Sequence, residues 1–238
     1  NQELKRQGKQ GLVVIIDNLD RIHLCLKPTG RLQPEYLFVD RGEQLARLNC
    51  HVVYTIPLVL IFSNDLGQLT NRFGVDPKVL PMVLVKSRDG SECAEGLELL
   101  RQMVLARAFP TVEPIERYAL IGKIFDSPET LDRLCRVSGG HVRNLLQLLY
   151  SCLQKQDPPL SRENLENVII QRRHQLTLAI EPDEWALLRQ VAANKTVSGE
   201  TKYQTLLRSL WVFEYRYGED YWFDVNPILV DAKELTEN

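Results

Sequence analysis

The sequence predicts an α/β fold that gives way to helices and then to a β-hairpin, on three observations. Leu12-Val13-Val14-Ile15-Ile16 is an unbroken, mostly β-branched run, as expected of a parallel strand buried on both faces. His51 to Ile56 is a second such strand and Met82 to Val85 a shorter third, with helical segments between strands, the order of a parallel α/β layer. From about Glu113 the apolar spacing becomes helical, and from Asp183 the chain reads helix, helix, aromatic hairpin.

Taken in order, Asn1 to Gln10 is polar and helix-compatible, and it opens without an initiator Met, as a piece of a longer protein would. After the first strand ends on Asp17, Lys27-Pro28-Thr29-Gly30 marks a loop and Arg41 to Leu48 is amphipathic. Pro57 breaks the second strand, so Leu58 to Asp65 is predicted as a loop leading into a short helix. Gly96 to Phe109 has helical spacing through Leu97, Leu100, Met103, Val104 and Ala108. Ser127-Pro128 is an N-cap with proline at the first helical position, and Gly139-Gly140 ends that helix. His141 to Leu153 is the next helix, and Asp157-Pro158-Pro159 breaks it from one running from Ser161 to about Gln175. Asp183 to Ala192 and Lys202 to Ser209 are predicted helices, followed by strands at Trp211 to Tyr215 and Tyr221 to Val225. Helix, helix and hairpin make a winged helix. The predicted domains are 1–112, 113–178 and 179–238.

Composition narrows the function classes. The 238 residues carry 29 Lys and Arg against 31 Asp and Glu, so no global basic field recruits nucleic acid. The five cysteines are widely spaced with no Cys-x-x-Cys pair, the pattern of reduced thiols in a cytoplasmic protein. Val52 to Phe62, the longest apolar run, contains a proline and falls short of the ~20 residues that span a membrane.

The chemistry concentrates in Val13-Val14-Ile15-Ile16-Asp17-Asn18-Leu19-Asp20-Arg21. An apolar strand that delivers a carboxylate at its carboxyl end presents charge at the ligand edge of a doubly wound sheet. Asp17 is that carboxylate and the candidate ligand-side acid. The alternative is a strand that ends in an Asp-Asn turn. Thr55, ending the second strand, is either a polar group facing a ligand or a hydroxyl satisfied by backbone. Arg143 follows Gly139-Gly140 near a helix start, where it either meets an anion or stands solvated against the helix dipole.

Ile-Ile-Asp-Asn-Leu-Asp-Arg resembles the Walker B strand of AAA+ and STAND-type P-loop ATPases, including KAP-like and origin-recognition-like members. Ser138-Gly139-Gly140-His141-Val142-Arg143-Asn144 resembles their sensor 2 helix, and His51 to Ile56 occupies the place of the sensor 1 strand. The resemblance implies a partial P-loop NTPase sheet, a helical lid and a C-terminal winged helix, with ATP and Mg²⁺ as cofactors. It gives Asp17 the Mg²⁺ side, Thr55 the sensor 1 position, and Asn18 and Arg143 contacts to nucleotide, and it leaves catalytic base work to Asp20 or elsewhere. Asn18 stands where many AAA+ enzymes place a Glu that polarises water; an amide cannot accept a proton, which favours a slow switch over a motor. Gly-x-x-x-x-Gly-Lys-Ser/Thr is missing from the sequence, so either the phosphate cradle lies upstream on a parent chain, the favoured reading, or the chain is a degenerate relative of the family.

The expected function is therefore part of an ATP-binding regulatory ATPase, with a silent interaction or oligomerisation module as the alternative and a DNA-binding initiator-like ATPase third. Expected partners are nucleotide, a second copy or another protein, with no membrane. From Glu181 to Asn238 there are eleven acids against six bases, and Gly218-Glu219-Asp220 at the wing tip repels phosphate, which disfavours DNA. Arg172-Arg173-His174 reads as a solvated helix face, and Arg107 as a helix-end cation.

Overall fold

The computed structural model describes residues 2–23, 25–61, 63–198 and 201–236. Phe62, Glu200 and Glu237, which entered the apolar run and the charge count above, lie outside them. The chain is mixed α/β and forms two compact units, residues 1–79 with 199–204, and residues 80–198 with 205–238. No helix among the described residues is long and apolar enough to cross a membrane.

The first unit opens with α1 (Gln2–Arg6) and β1 (Val13–Ile16), followed by a 3₁₀ turn at Leu19–Arg21. Next come α2 (Gln33–Glu35), which runs on into a π-helical turn, then α3 (Gly42–Ala46), β2 (His51–Tyr54) and α4 (Leu66–Phe73). As predicted, β1 and β2 pair in parallel, with Val13 opposite His51 and Ile16 opposite Tyr54. Pro57 closes β2 and precedes a 3₁₀ turn at Leu58–Leu60, also as expected.

One face of this pair is covered. Phe38, Val39, Leu60 and Leu69 form a buried cluster against which Tyr54, Ile56 and Phe73 pack. Tyr54 anchors it: its hydroxyl donates to the Leu45 carbonyl at 3.0 Å, and its ring meets Phe38 and Phe73 edge-on. The other face is open, which corrects the expectation of burial on both sides. Val13 is 57% exposed, Ile15 70% and Val53 51%. A two-stranded sheet with helices on one side has nothing to set against the alternate side chains, which point the opposite way.

The second unit begins with the segment expected as a third strand, and here the structure differs. Met82 to Val85 is extended but belongs to no sheet. Instead the Met82 N–H donates to the Glu214 carbonyl at 3.3 Å, the Val83 N–H to the Gly140 carbonyl at 3.1 Å, and the Cys93 N–H to the Val85 carbonyl at 3.0 Å. A run of four apolar residues satisfies either environment, and tertiary contacts decided. Hence the compact units divide after Val79, whereas the sequence grammar changes near Glu113.

Five helices follow: α5 (Ala94–Ala108), α6 (Pro128–Val137), α7 (Val142–Leu153), α8 (Arg162–Thr177) and α9 (Pro182–Asn194). The predicted caps are present. Ser127 Oγ accepts from the Thr130 N–H at 3.3 Å, and Ser161 Oγ from the Asn164 N–H at 3.2 Å. The first four of these helices share a core that includes Leu97, Val104, Leu131, Leu145, Leu148 and Ile169.

After α10 (Thr201–Arg208), β3 (Val212–Tyr217) and β4 (Asp220–Val225) form the antiparallel hairpin, and α11 (Lys233–Thr236) ends the described chain. A Gly218-Glu219 turn joins the strands, with Gly218 at φ 62°. Buried Asp224 is neutralised by Lys86 at 2.5 Å and Lys195 at 2.9 Å, tying β4 to the entering segment and to the end of α9.

Two glycines let the extended segment pass. A Cβ on Gly96 would lie 1.7 Å from the Leu84 carbonyl oxygen, and one on Gly140 would lie 1.8 Å from that of Val83, with Gly140 also at φ 78°. Gly140→Ala should therefore cost about 3 kcal/mol, from backbone collision plus left-handed strain. Gly218→Ala, where nothing lies within 4 Å of the added carbon, should cost only the conformational share, about 1 kcal/mol. Urea unfolding of the two variants checks the difference; equal midpoints would contradict it.

Candidate functional site

Parallel pairing aligns the carboxyl ends of β1 and β2, and the chain beyond them is held by two hydrogen bonds. The Thr55 N–H donates to the Ile16 carbonyl at 3.2 Å, extending the ladder by one residue. In return, Thr55 Oγ1 accepts from the Leu19 N–H at 3.2 Å. The loop leaving β1 is thus pinned to the end of β2, which brings Asp17, Asn18, Asp20 and Thr55 to one sheet edge.

The turn itself is sharp. Asn18 is left-handed, at φ 64° and ψ 10°, a conformation that Asn tolerates better than most residues, and its N–H donates to Asp17 Oδ1 at 2.7 Å. Asp17, Asn18 and Asp20 are exposed, Asp20 within the 3₁₀ turn at Leu19–Arg21, and Thr55 is half-buried. Both readings of Thr55 find a counterpart, since its hydroxyl oxygen is engaged by backbone yet stands at the strand end. Likewise the Asp-Asn turn exists, and it leaves a solvent-facing carboxylate at the strand's end.

ATP and Mg²⁺ are the groups that the Walker B resemblance implies. Asp17 suits the Mg²⁺ side, because an exposed carboxylate with one oxygen bonded to a backbone N–H can still meet a hydrated ion. No three His, Cys, Asp or Glu side chains converge as a metal cluster among the described residues. The phosphates lack a cradle within these 238 residues, since the glycine-rich Lys-bearing loop is missing. The acid fits, and the phosphate-cradling sequence is the part these residues do not contain.

The second motif, in the other unit, has a structural explanation for its glycines. Gly139 and Gly140 take φ 62° and 78°, and a Cβ on Gly139 would strike Phe213 at 2.7 Å. The Gly139 carbonyl accepts from the Tyr215 hydroxyl at 2.8 Å, and the His141 ring packs on Phe213. This turn joins the helices to the hairpin. Arg143 is exposed in the first turn of α7, with no hydrogen-bond or ion-pair partner among the described residues. A free guanidinium suits a ligand-facing role and a solvated one equally.

Other residues moved. Arg173, read as part of a solvated face, is a structural clamp: its guanidinium donates to the Ile228 carbonyl at 2.8 Å and to Asp231 at 2.5 Å. Asn144 was missed. It is 7% exposed and shares the buried face of α7 with Leu145, Leu148 and Cys152. A polar residue in register with those apolar positions was the available signal.

His141 caps α7 through Nδ1, which accepts from the Asn144 N–H at 3.3 Å. Burial lowers its pKa below the ordinary 6.5 and Arg143 lowers it further, while an interaction with the Asn144 side chain, distinct from the backbone N–H that Nδ1 accepts, acts the other way. Only the neutral ring can accept that N–H. The stabilisation is complete above the unfolded value of 6.5, and it is lost as pH falls through that value toward the folded one, because the unfolded chain protonates first. His141→Asn should keep the cap and remove this part of the acid dependence between about pH 7 and 5, while His141→Ala should cost about 1 kcal/mol at neutral pH. Thermal unfolding across that range decides; an unchanged acid limb in His141→Asn would refute the linkage.

Comparison with protein-family models, curated proteins and solved structures finds no match, so the function is argued from the chain's own residues.

Proposed function

We propose that this chain is part of an ATP-binding regulatory ATPase of AAA+/STAND type, acting in the cytoplasm as a nucleotide-dependent switch. The observation that carries the reading is the bond from the Leu19 N–H to Thr55 Oγ1, which gathers Asp17, Asn18, Asp20 and Thr55 at the carboxyl edge of a parallel strand pair. Ligands of open α/β sheets bind at that edge. In this reading Asp17 holds hydrated Mg²⁺, and Thr55 senses the nucleotide while fixing the Asp17 turn. Asp20 is the remaining carboxylate for base work, Asn18 contacts nucleotide, and Arg143 reports it to the helical lid of α6 to α8. The phosphate cradle arrives on a further strand. The outward N–H groups of Val52, Tyr54 and Ile56 on the free edge of β2 suit such a strand, since residues 51 and 55 already donate to β1.

The α9, α10 and hairpin array serves as a winged helix turned toward protein. Glu219 and Asp220 at its exposed tip disfavour DNA. The test is binding of a fluorescent ATP analogue to the full-length gene product, with and without Mg²⁺. Asp17→Ala should abolish hydrolysis and weaken Mg²⁺-dependent binding by about tenfold or more, about 1.4 kcal/mol, leaving Mg²⁺-free binding intact. Thr55→Val should lower hydrolysis while Thr55→Ser restores it. Identical Mg²⁺ dependence with and without Asp17 would overturn the assignment.

A second reading, an interaction or oligomerisation module without catalysis, draws on the open face formed by Val13, Ile15 and Val53. Under it, Ile15→Lys converts an assembled species to a monomer in sedimentation equilibrium and no Mg²⁺-ATP binding is measurable.

A further inference from the structure

The second unit holds a cleft between α7 and α8, with a volume of about 430 Å³, within the size range of small-molecule sites. We infer that it binds a small oxyanion, a carboxylate or a phosphate ester, that carries an apolar body. Three features define that chemistry.

The floor is apolar: Leu148, Val168 and Ile228 line the cleft and are buried. The rim is cationic and uncompensated. Lys155 and Arg172 line the cleft, and no Asp or Glu does. Lys155 donates to Gln171 Oε1 at 2.7 Å and Arg172 to Gln175 Oε1 at 3.2 Å, so each meets a neutral amide. Other arginines of the same helical layer behave differently: Arg133 and Arg162 both pair with Glu166, and Arg173 with Asp231. Selective absence of carboxylates around two cations is what an anion site requires.

The third feature is an orphan donor. Asn144 lines the cleft at 7% exposure, and its Nδ2 is buried without a hydrogen-bond partner among the described residues. Leaving a buried amide unpaired is costly, and an acceptor oxygen entering the cleft would satisfy it. The site shares no residue with the sheet edge that bears Asp17, and the inference stands without the nucleotide reading.

Phenyl phosphate, benzoate and uncharged benzamide present one apolar body with three head groups. Titrated into the full chain at low ionic strength and followed by ¹⁵N–¹H spectra, phenyl phosphate or benzoate should bind saturably and shift the Asn144 side-chain amide. Which of the two binds more tightly assigns the natural head group as phosphate or carboxylate. Benzamide should bind about tenfold more weakly or worse. Arg172→Gln and Lys155→Gln, both at the cleft's rim, should each weaken the anion by a comparable factor. Arg107→Gln, an exposed cation of α5 outside the lining, should leave it unchanged. Equal binding of benzamide, equal weakening by Arg107→Gln, or no saturation by either anion at about 10 mM would overturn the inference.

Discussion

The backbone of Val83 and Leu84 runs so close to Gly140 and Gly96 that no side chain fits at either glycine, and the second unit is organised around that passage. The segment donates to the Glu214 carbonyl in β3 and to the Gly140 carbonyl before α7, so one extended stretch connects the hairpin with the helical layer. Lys86, just beyond, reaches buried Asp224 in β4. Tyr215 donates to Gly139 from the same hairpin, and burial pushes its phenol pKa up, consistent with a neutral hydroxyl held in place. Losing the bond from Tyr215 to the Gly139 carbonyl would strand a buried hydroxyl, whereas Asp224 would keep Lys195 if Lys86 were removed.

A different constraint governs the first unit. A parallel pair needs cover on both faces, and here only one has it. Tyr54, Phe38 and Phe73 close one side, while Val13, Ile15 and Val53 face solvent. Those side chains are already partly covered, so burying the remainder of each would be worth about 1–2 kcal/mol. Thr55 works within that arrangement by holding the loop after β1 in register with the end of β2. The Asp17 turn thereby keeps its geometry although the sheet around it is small.

Much of the architecture was legible. Capping residues, proline positions and apolar spacing are local signals, and the helices from Ser127 to Gln175, the β1–β2 pair and the aromatic hairpin follow them. Met82 to Val85 was misread because four apolar residues carry no partner information: the same stretch suits a sheet or a groove between glycines. Arg173 was misjudged and Asn144 passed over for a related reason, since helical spacing places a residue on a face without saying what faces it. The candidate site was half legible. Asp17, Asn18 and Asp20 announce themselves by following an apolar strand, but the Leu19 to Thr55 bond links positions 36 apart and has no sequence signature.

By itself the sequence located the two paired strands, the capped helices from Ser127 to about Gln175 and the aromatic hairpin, and it marked Gly139-Gly140 as a helix end, because these depend on backbone preferences of neighbouring residues. Only the tertiary structure decided that the α/β run stops at two strands, that one face of the pair stands open, and that the segment at Met82 serves the hairpin and α7. Which apolar surface meets which is set by contacts between distant residues, and their competition is invisible in local spacing. The same holds for the cleft between α7 and α8: neither helix alone reveals that Lys155 and Arg172 share a rim free of carboxylates.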